Sequence, residues 1–277
     1  MLKVLTPITF TRSDSSGINM AFYIAKHQDC HITLLNCIPD IIDRSENNRT
    51  HALTSDQLSA RLIKLEALVR EHNTHHRFEM QIDSMLEHGY PEEVIPKIAA
   101  EKGYDLVIMT SDCSENDMKM VTGSITNDVL RKIKTSLMVV PTHYSMQKER
   151  ISDVLICIDF LHRDYSAMHQ LFTILLEYGC TIHCVKVNNK KPTGEEIEAL
   201  NKLNDYLTQT YRGAHFRMEY ILGHDFYETV NKYIAEHKIQ FVTLIKKHPE
   251  HFLRRDKSSS SSKALYHIKI PILIVSH

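Results

Sequence analysis

The 277-residue chain has no tryptophan, eight glycines, eight prolines, six cysteines and a net charge of −1. Each shortage excludes something. With 33 Lys and Arg set against 34 Asp and Glu, there is no field to draw a nucleic acid or an anionic membrane. No apolar run approaches the ~18 residues of a membrane span. The opening MLKVLTPITF lacks the long apolar core and cleavage site of a secretory signal and reads as a first strand. The cysteines form no CxxC and no close-set framework, which fits a reducing cytosol better than a disulfide scaffold. A cytoplasmic location is therefore expected. No P-loop, nucleophile elbow or zinc-protease motif is written anywhere, and the chain is expected not to be an enzyme.

What is present is a repetition. Residues 3–36 lie without gaps on residues 153–186, with Val4/Val154, Leu5/Leu155, Ile8/Ile158, Phe10/Phe160, Asp14/Asp164, Ser16/Ser166, Phe22/Phe172 and Cys30/Cys180 coinciding. Further on, Lys97, Ala100, Glu101 and Val107 fall on Lys232, Ala235, Glu236 and Val242, and SLMVVP (136–141) falls on PILIVS (271–276). A repeat this long is a duplicated domain, since solenoid units span only ~20–50 residues. The expected domains are 1–143 and 151–277, joined by the polar linker THYSMQKER (142–150).

Each half alternates strand and helix. In the first, strands are expected at 3–9, 31–38, around Phe78, Met80 and Ile82, at 105–109 and at 137–140. Helices are expected from Ser16 to His27, along Leu58, Leu62, Leu65 and Val69 with Ser55 as cap, over Pro91 to Lys102, and over Gly123 to Lys134. The second half repeats the pattern with strands at 154–159 and 181–187, along Phe216, Met218 and Tyr220, at 241–245 and at 272–275. Its amphipathic helix carries Ile197, Leu200, Leu203 and Leu207, and Thr193 with Glu196 forms a capping box. Short continuous apolar runs mark strands covered on both faces, hence an α/β fold with parallel sheets and right-handed crossovers. In such sheets a ligand sits beyond the carboxyl ends of the strands at the switch point, here the first and fourth strands.

At those strand ends, G-Y-P-E-E-V-I-P-K-I-A (89–99), D-L-V-I-M (105–109), V-T-G-S-I-T-N-D-V-L (121–130) and the SLMVVP strand together resemble the universal stress protein family. The resemblance covers essentially all of both halves. It implies two tandem flavodoxin-like (adenine nucleotide alpha hydrolase-like) domains, each a five-stranded parallel sheet with helices on both faces. It also implies a cytoplasmic stress-response role, an internal pseudo-dimer with the last strands paired, and often bound ATP or AMP.

The family's nucleotide loop reads Gly-x2-Gly-x9-Gly-Ser/Thr, with glycines that let backbone amides approach phosphate. On that register the first half has Thr110 and Cys113 at the first two glycine positions and keeps only Gly123-Ser124. Thr9 stands where the family has an Asp at the end of the first strand. The second half keeps the acid as Asp159, but its glycine positions hold Ile245, His248 and Ser258, followed by Ser259. A side chain at a glycine position is costly where the backbone needs positive φ. Gly123-Ser124 is either an anion site or ordinary capping, and Asp159 either a ribose contact or a strand-end cap. Arg254, Arg255, Lys257 and the serines 258–262 read as a solvated loop, and Cys113, beside Asp112 and Glu115, as an unreactive thiol. The histidines His72, His75, His76, His248 and His251 lack further metal ligands at a recognisable spacing.

The expected function is that of a non-catalytic stress-response regulator or interaction protein with a degenerate nucleotide site. The other reading is a sensor that binds ATP, AMP or another small ligand in one half. Expected partners are the second half itself, a second copy of the chain, or an unidentified protein, with neither nucleic acid nor membrane. If SLMVVP and PILIVS pair across the halves, either half expressed alone will self-associate through that exposed edge. Sedimentation of a well-folded half as a strict monomer would overturn that pairing.

Overall fold

A computed structural model describes residues 1–38, 41–42, 50–51, 60, 63–64, 67, 81–111, 124–142, 144–145, 151–158, 165–175, 178–246 and 268–276. The chain divides into two compact units, Met1–Leu137 and Met138–His277.

In the first unit β1 (Leu2–Pro7) leads through a turn to α1 (Asp14–His27) and then to β2 (Cys30–Ile38). A short antiparallel pair follows, β3 (Ile41–Ile42) with β4 (Thr50–His51). Next come β5 (Gln81–His88), α2 (Pro91–Glu101), β6 (Leu106–Ser111) and α3 (Ser124–Lys132). β7 (Ser136–Pro141) then runs across the division between the units. Strands β6, β1, β2 and β5 lie side by side in that order, all parallel.

The second unit contains β8 (Asp153–Cys157), α4 (Tyr165–Leu175), β9 (Thr181–Asn188), α5 (Gly194–Thr210), β10 (His215–Leu222), α6 (Phe226–His237), β11 (Phe241–Lys246) and β12 (Ile272–Ser276). Its five parallel strands run in the order β10, β9, β8, β11, β12. In both units the order reverses between the first strand and the fourth, where the sequence places the switch point.

Continuous apolar runs become the central strands because both of their faces are covered. Val4, Leu5, Leu106, Val107, Ile108, Val154, Leu155 and Ile156 are all fully buried. The edge strand β5 departs from expectation. Alternation suggests a strand around 78–82, yet β5 runs on to His88, because β2 offers pairing partners as far as Ile38↔His88. Phe78, Met80, the cap Ser55 and the apolar positions Leu58, Leu62, Leu65 and Val69 lie outside the described residues, while Ala60, Ile63, Lys64 and Ala67 within that stretch are helical.

The motif at 89–93 is a stop and restart. The amide of Gly89 donates to Ile38 O at 2.9 Å, with φ +125°, a region side-chain-bearing residues avoid. Tyr90 is extended, and Pro91 opens α2 where its missing N–H costs nothing. In α5 the capping box forms as expected, with Thr193 and Glu196 each receiving the other's amide. The buried face is turned from expectation. It carries Glu196, Ala199, Leu203 and Leu207, while Ile197 is 48 % exposed. Glu196 is pulled inward by the cap and by Lys186, and that rotates Ile197 into solvent.

Lys186 Nζ donates to Glu196 Oε1 at 2.7 Å, and the Thr193 amide to Oε2 at 2.9 Å. Lys186 and the Thr193 backbone hold the Glu196 carboxyl below its ordinary value of 4.5. A depressed carboxyl stabilises above its unfolded pKa and loses that contribution as pH falls through the lower folded value. Glu196→Gln is expected to lower Tm at neutral pH. The gap from the parent should narrow as pH falls below 4.5 and the parent's carboxylate takes up its proton. Thermal melts across that range test this, and a gap independent of pH would remove the ion pair from the account.

Candidate functional site

The carboxyl end of β1 is closed by its own side chains. Ile8 N donates to Leu35 O, and the buried Asn36 amide donates back to Ile8 O at 2.8 Å, tying the strand end to β2. The chain then turns sharply, with Phe10 at φ +61°. Asp14, first residue of α1 and 8 % exposed, receives three donors into this turn. They are Thr9 N–H at 2.9 Å, the Thr9 hydroxyl at 3.0 Å and Thr11 N–H at 2.9 Å. Hydroxyl contacts run on from Thr9 to Thr11 at 2.9 Å and from Thr11 to Ser13 at 2.5 Å. Lys64 Nζ stands 5.9 Å from the centre of the Phe10 ring, within cation–π range.

Thr9 is itself exposed at this strand end. Its amide and hydroxyl are both engaged by Asp14. The carboxylate at this strand end is that of Asp14, five residues further along the chain, and it serves the turn. An Asp at position 9 would set a second carboxylate against the first.

The fourth strand meets this turn through α1. Thr110 lies in β6, and a Cβ built on Gly17 of α1 would stand 2.6 Å from Thr110 Oγ1. The hydroxyl thus occupies the room that glycine leaves in the helix. The threonine that replaces the first loop glycine is accommodated by a glycine elsewhere. α3 begins at Ser124, directly after Gly123. Gly123 and Cys113 lie outside the described residues.

In the second unit Asp159, His248, Ser258 and Ser259, with Arg254, Arg255 and Lys257, are likewise outside them. Ile245 is inside β11, paired with Val275. Lys186 takes the place that Asn36 holds in the first repeat, and turns to Glu196 of α5 where Asn36 ties the first strand's end. The structure thus brings Thr9, Asp14, Gly17 and Thr110 to one strand end. Sequence reasoning passed over Asp14, Gly17 and Asn36. The signal for Asp14 was its coincidence with Asp164 in the repeat.

The described cysteines are poor nucleophiles. Burial pushes the thiols of Cys30, Cys37, Cys157 and Cys184 up to about 12, and that of Cys180 to about 11. Neighbouring carboxylates add to the rise, Asp29 at Cys30 and Glu87 at Cys37. All five stay protonated at neutral pH. Among the described residues no group of three or more His, Cys, Asp or Glu could hold a metal ion, and no helix is long and apolar enough to cross a membrane.

Comparison with known proteins gives one family. The profile of the universal stress protein family matches residues 1–141. No curated protein matches the chain in sequence. Among solved structures, a universal stress protein from Archaeoglobus fulgidus is similar over 99 % of this chain and 96 % of its own, at 14 % identity and a TM-score of 0.72. A putative universal stress protein from Pseudomonas aeruginosa covers 99 % and 92 %, at 14 % identity and 0.61. The cytoplasmic domain of a prokaryotic cation chloride cotransporter covers 99 % and 95 %, at 11 % identity and 0.55. These likenesses extend the fold over both halves.

The contact between Gly17 and Thr110 makes a prediction. Gly17→Ala is expected to cost about 1–3 kcal/mol through overpacking. Thr110→Ala in the same chain should restore the loss by removing the clashing hydroxyl. Urea unfolding of both single variants and the double one measures the coupling, and strictly additive effects would refute the contact.

Proposed function

The chain belongs to the universal stress protein family, and from that premise we propose that it works as a non-catalytic regulator whose first-half nucleotide site has been given over to internal hydrogen bonding. The observation that carries this reading is the three-donor clasp of Asp14 on Thr9 and Thr11. A ligand's ribose hydroxyls need a carboxylate with free lone pairs facing outward, and the Asp14 carboxylate at this strand end is engaged by its own turn. The missing loop glycines point the same way, since Thr110 and Ile245 both sit within strands. A fold kept without its small-molecule site is one kept for protein contacts. The partners this reading calls for are a second copy of the chain or another protein. The cytoplasmic setting common to the family is part of the same proposal.

One feature favours the second reading, an adenylate sensor. α3 starts at Ser124 immediately after Gly123, so the sequence retains the pair that ends the family's phosphate loop at a helix start.

Nucleotide content decides between them. The purified, denatured protein is expected to release no adenylate, and the stripped protein to show no saturable heat with ATP or AMP up to about 1 mM, a free energy of about −4 kcal/mol. Saturable binding that Gly123→Val abolishes without loss of fold would establish the sensor. Turnover of ATP would establish an enzyme instead.

A further inference from the structure

The opposite end of the second unit's sheet holds a chain of polar groups, two buried and two half-buried, that plays no part in the site above. Asp153 opens β8, His183 lies in β9 and is 2 % exposed, Tyr233 on α6 is 5 % exposed, and Glu219 lies in β10. Asp153 Oδ1 stands 3.2 Å from His183 Nε2. His183 Nδ1 stands 2.9 Å from Tyr233 Oη, and Tyr233 Oη 3.0 Å from Glu219 Oε1. The first repeat has Lys3, Thr33 and Ile98 where the second has Asp153, His183 and Tyr233, so the chain of groups is particular to this unit.

The three contacts can be counted in protons. Each needs one hydrogen between its heavy atoms. A neutral imidazole brings one, the phenol brings one, and two ionised carboxylates bring none. Two protons cannot serve three contacts. With both end groups ionised and His183 neutral, one contact sets lone pair against lone pair. The deficit is removed by a single added proton, after which His183 donates to both Asp153 and Tyr233, and Tyr233 donates to Glu219. We propose that this chain of four side chains is a proton-binding site, which takes up one proton on acidification and thereby completes its third hydrogen bond.

The groups around it define the balance. Arg217 of β10 reaches the same Glu219 oxygen through Nε, and its NH1 stands 3.4 Å from His237 Nδ1. Arginine has no acceptor, so that His237 nitrogen accepts. The His237 ring lies 5.4 Å from His183 and 4.1 Å from Tyr233, centre to centre. Ser152 donates to Asp153 Oδ2 at 2.6 Å, and the Cys184 thiol, raised to about 12 by burial, stays neutral. Burial draws the His183 pKa below its ordinary value against the pull of Asp153, with the charge of Arg217 acting alongside burial. Burial, and then the bond to Glu219, raises the Tyr233 pKa, so the phenol keeps its proton. Since the folded ring holds its proton less tightly than the unfolded one, the second unit has full stability above about pH 6.5 and loses stability as pH falls below it.

Nitrogen-15 shifts of the histidine rings, followed in the full-length chain from about pH 7.5 to about pH 4, test the site. His183→Gln identifies the signals by their loss. His183 is expected to gain its second ring proton in one step below its ordinary pKa, with the Tyr233 ring signals moving at the same midpoint. Asp153→Asn puts an amide N–H where the missing proton belongs and removes the carboxylate that favours imidazolium. In that variant the midpoint should fall by at least about one pH unit, a tenfold loss of proton affinity, with Tm at about pH 7.5 unchanged or higher. The proposal is overturned if His183 titrates without Tyr233, if it stays neutral throughout, if Asp153→Asn keeps the parent midpoint, or if that variant melts several degrees lower. Should the variant not fold, the shared midpoint in the parent chain decides alone. None of these readings depends on whether the chain binds nucleotide.

Discussion

A strand buried on both faces has no room for polar side chains except near its ends. That constraint organises both units. The middles of β1, β6, β8 and β11 are apolar, apart from Thr6 and Thr243. The hydroxyls of those two threonines find no partner among the described residues. Polar chemistry is displaced to where the strands stop. At the carboxyl end of β1 it becomes the Asp14 clasp and the Asn36 tie. At the amino end of β8 it becomes the network around Asp153 and His183. The parallel arrangement collects each set at one end, because β6, β1, β2 and β5 of the first unit point the same way, as do β10, β9, β8, β11 and β12 of the second.

The duplicated halves have met this constraint with different residues. In the first unit Asp105 accepts the Lys3 amide at 2.8 Å; in the second Gln240 accepts the Asp153 amide at 2.8 Å. The backbone bond is the same and the charges are exchanged. A lysine beside an aspartate has become an aspartate beside a glutamine, which avoids setting two carboxylates together. Asn36 and Lys186 differ in the same manner, one tying a strand end and the other forming a shielded ion pair with a helix cap. What persists between the repeats is backbone geometry, and what varies is the side chain that satisfies it. This is why a family can be legible while its ligand site is not: the fold needs the bond, and any suitable donor or acceptor will serve.

Much of the fold was readable from period and composition. The apolar runs at 154–157 and 241–245, the capping box of α5 and the restart at Gly89-Tyr90-Pro91 are local features, decided by neighbours in the chain. So was the strand order's reversal between first and fourth strands, which follows from alternating elements and right-handed crossovers. The site was less legible. Thr9 and Thr110 could be recognised as departures from the family's pattern, but not what they had been recruited to do. Ile197 was assigned to a buried face because it is apolar, yet Glu196 occupies that face, since its two oxygens are already claimed by Lys186 and Thr193.

By itself, then, the sequence determined a duplicated α/β chain, its family and where along each half the strands end, because these depend on periodicity and on residues close in the chain. Only the tertiary structure decided that Asp14 serves its own turn, that Gly17 makes room for Thr110, and that Asp153, His183, Tyr233 and Glu219 form one chain of groups. Hydrogen-bond direction and steric room depend on ångström distances between residues up to 93 apart in sequence, Gly17 and Thr110 among them. No local pattern encodes those distances.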